Sequence, residues 1–383
     1  ATQGLATAIV EEGEEAMKRG VVIGYDVRHK SDEFARITAE VLAGNGIHVY
    51  LYDQITPTPL LSFSVLRLQT IAGVMITASH NPRDYNGYKA YWEEGSQILD
   101  NIAERIGAGI RQIKDYGAIK TLPLQEAKGH GLITMVGRDL VDEYLHEVES
   151  RKVTDDIDKN VSIVYSPLNG TGNVFVQEIL KRRGFANVHI VKEQELPDPD
   201  FTSVGYPNPE DPKAFALAET IGKEYDADIL IATDPDADRI AMEVKDKNGD
   251  YVFLNGNQIG ALLVHHILSN LQAQNRLPEQ AVMAKSIVTG DLSTKIAADY
   301  GVAMRESLTG FKHLYAIANE IERVGGEQEF LFAYEESIGY SYGTYVRDKD
   351  AVMSAMLIAE MAGDAKKQGK TPLDTLYALY EKY

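Results

Sequence analysis

Residues 228–239 read DILIATDPDADR. The apolar run from Ile229 to Ala232 predicts a strand, and it passes without a spacer into a polar loop holding three aspartates and an arginine. Two other stretches share this layout. GVMI (73–76) enters Thr77-Ala78-Ser79-His80-Asn81-Pro82, and FLFA (330–333) enters Tyr334-Glu335-Glu336-Ser337-Ile338-Gly339. Upstream of each lies the same order of features: an apolar strand, a turn, a helix, a glycine and a second short strand. The first copy is VVIGYD (21–26), a helical stretch through Leu42, Gly46 and IHVYLY. The second is Val161 to Tyr165, a helix through Lys181, Gly184 and NVHIV; the third runs from Val282 through KIAADY to Gly301 and VAMRES. The copies lie roughly 120 to 140 residues apart, which is domain spacing rather than solenoid spacing. The expected fold is therefore α/β, with three consecutive similar α/β domains. Ligands of α/β sheets bind beyond the strand ends, so three duplicated units would aim three different loops at one cleft.

Composition places the boundaries. RKVTDDIDKN (151–160) is mostly charged and AQNRLPEQ precedes Val282, which predicts domains at 1–155, 156–275 and 276–383. Leu196 to Pro212 holds five of the 13 prolines and is expected to be an extended surface loop without a catalytic part. The chain is 383 residues long, 44% hydrophobic and 25% charged, a globular composition with no apolar run long enough for a membrane span. With 38 basic and 57 acidic residues the net charge is −19, which disfavours non-specific binding to nucleic acid or anionic lipid. There is no cysteine, and Ala1 onwards has no basic region followed by an apolar signal core. A cytoplasmic location is expected.

The chemistry is expected at the three loops. Asp234, Asp236 and Asp238 repel one another unless a cation or water relieves them. Pro235 disfavours a helix, and in an extended segment these three positions share one face, suiting one hard cation such as magnesium. A solvated acidic turn is the plainer alternative. An EF-hand is excluded, because its sixth and twelfth positions would be Arg239 and Lys245. Ser79 sits among turn formers, and in an extended chain the adjacent His80 would point away from it, against a Ser-His hydrolase pair. A phosphate-accepting serine instead needs a metal and basic groups, for which Asp234, Asp236, Asp238, Arg83, Lys89 and Arg239 are available. Glu335, Glu336 and Ser337, flanked by Gly339, suit pairs of sugar hydroxyls. Leu308–Lys312 and Arg347–Asp350 are basic segments that could be site or ordinary surface. Asn169-Gly170-Thr171-Gly172 opens a helix like a phosphate-cradling turn, but lacks the third glycine or lysine of a nucleotide fingerprint and reads as a tight turn.

Thr77–Pro82 with Asn86-Gly87-Tyr88-Lys89, followed by DPDADR and EESIG in that order, resembles the α-D-phosphohexomutases. The resemblance extends over the whole chain, and Pro207–Glu210 with Asp348–Asp350 are similar to the phosphoglucomutase and phosphopentomutase branch. It implies mixed sheets in domains I to III. It also implies phosphorylation of Ser79, with magnesium held by Asp234, Asp236, Asp238 and a phosphoserine oxygen, and a hexose 1,6-bisphosphate as activator. Arg239 would steady the phosphoryl group, and Glu335 and Ser337 would hold the sugar. Thr309, Gly310 and Lys312 would help distinguish two substrate orientations, while His80, Lys89 and Lys349 match proton-transfer or phosphate-contacting positions. The implied reaction interconverts hexose 1-phosphate and hexose 6-phosphate, glucose first, by a monomer or homodimer whose partner is its sugar phosphate. Phosphomannomutase, phosphopentomutase and hexose-bisphosphate synthase activities are neighbouring alternatives. An aspartyl-nucleophile phosphatase built on Asp234-Pro235-Asp236, and a non-catalytic sugar-phosphate binder, are alternatives of other classes. The family's glycine- and arginine-containing loop before Ala1, and its fourth domain after Tyr383, are absent from this sequence. The expectation is a fragment of a four-domain chain, weakly active by itself.

Overall fold

The computed structural model describes residues 1–383 and contains three sheets of one plan. In chain order the strands are β1 Val21–Tyr25, β2 Val49–Leu51, β3 Ala72–Ile76, β4 Tyr88–Trp92, β5 Ile133–Met135, β6 Ile163–Ser166 and β7 Val188–Ile190. They continue with β8 Ile229–Thr233, β9 Ile240–Lys245, β10 Tyr251–Leu254, β11 Gln280–Ser286, β12 Ala303–Ser307, β13 Gln328–Glu335 and β14 Gly339–Tyr342. The sheet orders are β4-β3-β1-β2-β5, β10-β9-β8-β6-β7 and β12-β11-β13-β14. Each is mixed. β1 pairs parallel with β2 and β3, β6 with β7 and β8, and β11 with β12 and β13. β3, β8 and β13 then each fold back on an antiparallel partner: β4, β9 and β14. The three polar loops are the connections of these three equivalent pairs.

Burial explains why these segments are strands. Every residue of β3 and β8 is buried, as expected for a central strand covered by helices on both faces. The largest apolar core includes Ile231, Phe332 and Leu357 together with Tyr52, Leu60 and Phe63, so all three units contribute to one interior. A smaller core built on Leu5, Val21, Leu42 and Val74 belongs to the first unit. No helix is long and apolar enough to cross a membrane.

Tertiary packing ties the units together at both joints. The helix Gly256–Ala273 opens on an Asn255/Gln258 capping box and packs on the third unit. A Cβ at Gly260 would lie only 2.1 Å from the Tyr334 ring, so glycine is what permits that approach. The charged segment 151–160 is anchored too. The Val153 and Thr154 amides donate to Glu360 Oε1 at 2.8 and 2.7 Å, and Arg183 donates to Glu360 Oε2 at 3.2 Å. Glu360 is fully buried, and leaving its charge without these donors would cost several kcal/mol. His266 joins this cluster; burial opposes its charge, but Asp364 and Glu360 prevail and push it up to about 9.

Candidate active site

The three loops meet, because each equivalent strand pair opens toward the same point. Each also contains one non-glycine residue in the left-handed region: Ser79, Ala237 and Ile338, all at φ 52°. Such a conformation costs roughly 1–2 kcal/mol per residue and persists only where the surroundings hold it. The expected extended geometry is therefore replaced by turns, with two consequences. Asp234, Asp236 and Asp238 converge through a turn at Ala237 rather than along one face of a strand, and one oxygen from each lies within 4.8 Å of the others. His80, expected to point away, is brought round by the turn at Ser79 so that its Nδ1 lies 3.3 Å from Ser79 Oγ.

Ser79 Oγ donates to Asp234 Oδ2 at 2.7 Å, across 155 residues of sequence. The serine loop is held by groups that the sequence did not single out. Arg28, buried just beyond β1, donates to the backbone carbonyls of Ser79 and Asn81 at 2.5 Å, Pro82 at 2.9 Å and Tyr85 at 3.0 Å. Asp26 accepts from the Thr77 hydroxyl at 2.7 Å, and that hydroxyl accepts the Ser79 amide at 2.8 Å. Burial raises Asp26 to about 6, against the pull of Thr77 and Arg28. We expect Arg28→Met to lower phosphoryl uptake at Ser79 by about tenfold to fiftyfold with the circular dichroism spectrum unchanged. Arg28→Lys should recover little, because an ammonium cannot reach four carbonyls as a planar fork does. Parent-like labelling of Arg28→Met would show that the loop holds its shape without it.

The acids are buried and unequal. All three are at most 1% exposed. Burial, then the Asp236 and Asp238 carboxylates, pushes Asp234 well above the ordinary carboxylate range. Burial also works to raise Asp236, but Lys89 outweighs it and holds Asp236 well below that range. Lys89 Nζ lies 2.8 Å from Asp236 Oδ2 and 3.2 Å from Asp238 Oδ2; Lys349 Nζ lies 3.2 Å from Asp238 Oδ2 and 3.0 Å from Asp348 Oδ1. Thr58, in the TPTP run at 56–59, grips Asp236 with its hydroxyl (2.6 Å) and its amide, which donates to the Asp236 carbonyl (2.8 Å). Asp236 Oδ1 and Asp238 Oδ1 are buried with no hydrogen-bond partner. Two orphaned carboxylate oxygens in a cluster of three acids fit a bound cation, since leaving them unpaired costs roughly 1–3 kcal/mol each. Burial and the nearby Arg239 lower His80 to about 4, so its ring is neutral near pH 7.

The remaining expected residues fall into two groups. Arg239 Nη1 donates to the Ser337 carbonyl at 3.4 Å, which ties the acidic loop to the EESIG loop. Glu335 accepts the Gly310 amide at 2.6 Å, which joins the 308–312 segment to the same loop. Lys312 and Thr309 stand apart: Lys312 Nζ is 3.5 Å from Asp100 on the first unit, and Thr309 is exposed. Arg83 turns outward, toward Asp200 at 3.6 Å. Glu336 faces Ser286 and Thr289 at 3.0 and 2.9 Å rather than the cleft.

The proline-rich stretch 196–212, expected to be an extended surface loop, supports the serine loop from outside. Phe201 is fully buried beneath the Arg28 guanidinium, 5.2 Å from the ring centre, and Tyr206 meets the His80 ring edge-on at 6.4 Å. A cluster of prolines signals an extended loop but not this return contact. Asn169–Gly172 is a support too. The Thr171 amide donates to the Pro235 carbonyl at 2.8 Å, and a Cβ at Gly170 would lie 2.6 Å from Pro235 Cα. The turn props the acidic loop from behind.

The chain matches family models of phosphoglucomutase/phosphomannomutase: alpha/beta/alpha domain I over residues 1–117, domain II over 142–249 and domain III over 255–383. It is 38% identical over 373 residues to a phosphoglucomutase of Staphylococcus haemolyticus (strain JCSC1435), covering 94% of this chain and 64% of that one. It is 40% identical over 363 residues to a phosphoglucomutase of Staphylococcus aureus (strain MRSA252), with the same coverage. The chain thus spans 64% of the length of these relatives. A crystal structure assigned to the phosphomannomutases, from Thermus thermophilus, superimposes with a TM-score of 0.78 at 25% identity, covering 99% of this chain and 77% of that one.

Proposed function

Because this chain belongs to the phosphoglucomutase/phosphomannomutase family, we propose that it carries the phosphoserine and metal parts of a hexose-phosphate mutase, with Ser79 as the group that takes and returns phosphate. The observation that carries this reading is the 2.7 Å contact between Ser79 Oγ and Asp234, inside a cluster of acids with two unpartnered oxygens. Asp234, Asp236 and Asp238 would hold magnesium together with an oxygen of the phosphorylated serine. Bound there, magnesium supplies positive charge where the phosphoryl oxygens and the leaving serine oxygen become more negative.

The chain's own residues do the rest. Phospho-Ser79 gives its phosphoryl group to the free hydroxyl of a hexose monophosphate: a phosphorus–oxygen bond to the sugar forms, the bond to Oγ breaks, and the proton lost by the sugar hydroxyl is balanced by one gained at Oγ, which restores the serine hydroxyl. Reversal at the other end of the bisphosphate returns phosphate to Ser79 and completes the isomerisation. Arg239, Lys89 and Lys349 bring cationic charge to the cleft; burial opposes the charge on each, but the surrounding aspartates outweigh it and raise all three above their ordinary values. Glu335, backed by the Gly310 amide, and Ser337 would hold the sugar hydroxyls, with Thr309 and Lys312 reading the orientation. His80, with a neutral ring 3.3 Å from Oγ, is placed to handle a proton. We propose glucose 1-phosphate and glucose 6-phosphate as the substrate pair, glucose 1,6-bisphosphate as the activator and the cytoplasm as the setting.

The test is the site of covalent phosphate after incubation with glucose 1,6-bisphosphate and magnesium. Acid-stable phosphate on the Ser79 peptide is expected. Hydroxylamine-labile phosphate on Asp234 would replace this reading with that of an aspartyl phosphatase, and no covalent phosphate at all would reduce the chain to a binder.

A further inference from the structure

The strand β4 carries more than Lys89. In its extended backbone Lys89 and Tyr91 stand two residues apart and so on one face. Beyond the strand the chain turns at Gly95, at φ 78°, and runs back: the Trp92 amide donates to the Ser96 carbonyl at 3.1 Å and the Ile98 amide to the Ala90 carbonyl at 3.0 Å. That return sets Gln97 opposite Tyr91, and cross-strand partners present their side chains on the same side. Both side chains reach one carboxylate of the third unit. The Tyr91 hydroxyl donates to Asp348 Oδ2 at 2.7 Å, and the Gln97 side-chain amide donates to the same oxygen at 2.9 Å.

The other oxygen of Asp348 faces its neighbour in the chain. Oδ1 accepts the Lys349 amide at 2.9 Å and the Lys349 ammonium at 3.0 Å. Asp348 is 1% exposed, so its buried charge depends on these donors. A lysine ends on a flexible four-carbon stem with no rigid fork to orient it, so its ammonium is placed only by what grips the far end. Here the grips are Asp348, Asp238 at 3.2 Å and the face of the Phe311 ring, 5.1 Å from its centre. The stem passes over Gly339, where a Cβ would collide with Lys349 Cδ. Asp348 is in turn fixed from the unit that carries Ser79. The strand that delivers Lys89 to the acids therefore also sets where the second ammonium stands.

We infer that Tyr91 and Gln97 are positioning residues for phosphoryl transfer: by fixing Asp348 they hold the Lys349 ammonium beside Asp238, in step with the serine loop. The consequence for phosphoryl transfer rests on the mutase reading, whereas the positioning does not. The experiment has two arms, both on the 383-residue chain. In the first, the side-chain ammonium of Lys349 is observed by nitrogen-15 NMR and identified by its loss in Lys349→Arg. A buried ammonium held between two carboxylates exchanges its protons slowly, so a resolved signal is expected in the parent. It should be lost from the double variant Tyr91→Phe, Gln97→Met, which removes both donors and little volume. It should be kept in Tyr144→Phe, which removes a buried hydroxyl bond to Asp350, 2.9 Å long, across the same joint. A parent without the signal, a signal that survives the double change, or a signal lost equally from Tyr144→Phe would overturn the inference.

In the second arm, phosphoryl uptake at Ser79 from glucose 1,6-bisphosphate and magnesium is timed. The double change should slow uptake at least tenfold in the parent but less than twofold in a Lys349→Met background, because residues that act through one group are not additive. Equal slowing in both backgrounds would give Tyr91 and Gln97 a general structural part and overturn the inference. No uptake by the parent would count against the mutase reading alone, and the Lys349 signal would still decide the positioning.

Discussion

Ser79→Ala is expected to remove all covalent phosphate from the chain and to slow hexose phosphate isomerisation at least a hundredfold, on the order of what loss of a covalent catalyst costs. The expected loss is chemical rather than structural. Both serine and alanine carry a Cβ, so the left-handed backbone at φ 52° is no harder for one than for the other. Arg28 holds the loop through its carbonyls, and Thr77 holds the residue 79 amide; neither contact uses Oγ. The variant should therefore keep its melting temperature within a few degrees while the labelled peptide disappears. A coupled assay with and without glucose 1,6-bisphosphate reads the rate, relative to the unsubstituted chain at equal concentration. Turnover that persists in the alanine variant, under conditions where parent and variant melt alike, would falsify the nucleophile assignment.

The second large effect has two signs in one variant. In the metal-free chain three buried carboxylates lie within 4.8 Å, opposed mainly by the Lys89 and Lys349 ammonium groups, and like charges at about 4 Å interact by several kcal/mol at protein-like dielectric. Asp234 bears most of this strain: burial first and its two acidic neighbours second raise its carboxyl well above the ordinary value, so holding it ionised opposes folding. A carboxyl whose pKa is raised on folding contributes a stability loss that begins above its unfolded value, about 3.9, and grows as pH rises toward its folded one. Asp234→Asn should then melt higher than the parent in EDTA at pH 7, with a weaker fall in stability as pH rises above about 4. The asparagine oxygen can still accept the Asp238 and Arg239 amides, both now at 3.1 Å from Oδ1, so the turn survives. The same variant should gain far less stability from added magnesium and should lose phosphoryl transfer at least a hundredfold. This is the exchange of stability for function expected where an acid cluster exists to hold a cation. A variant that melts below the parent in EDTA, or that magnesium stabilises equally, would contradict the assignment of the three acids.

Much of this site could be read along the chain because strand, loop and chemistry are contiguous. DILIAT followed by DPDADR carries its own strand signal and its own acids, and the same holds for GVMI with TASHNP and FLFA with YEESIG. The repeated order of features was enough to expect three α/β units and to expect their loops at equivalent strand ends, where the sheets place them. Chain composition was less informative about the joints. Charged residues at 151–160 mark a boundary along the chain, but do not reveal that two amides of the segment are consumed by a buried glutamate more than two hundred residues away.

The local sequence thus determined the three strand–loop units, the identity of the acids and the serine, and the expectation that they act together, because hydrophobic patterning and turn chemistry act between near neighbours. Only the tertiary structure decided how those loops bend and what holds them. Left-handed turns at Ser79, Ala237 and Ile338 swing His80 onto Oγ and fold the acids inward, and they are offset by contacts from Arg28, Thr58, Phe201 and Lys89. Those contacts join residues tens to hundreds of positions apart. Their strength depends on burial and distance, which are set by how the sheets pack and not by any pattern along the chain.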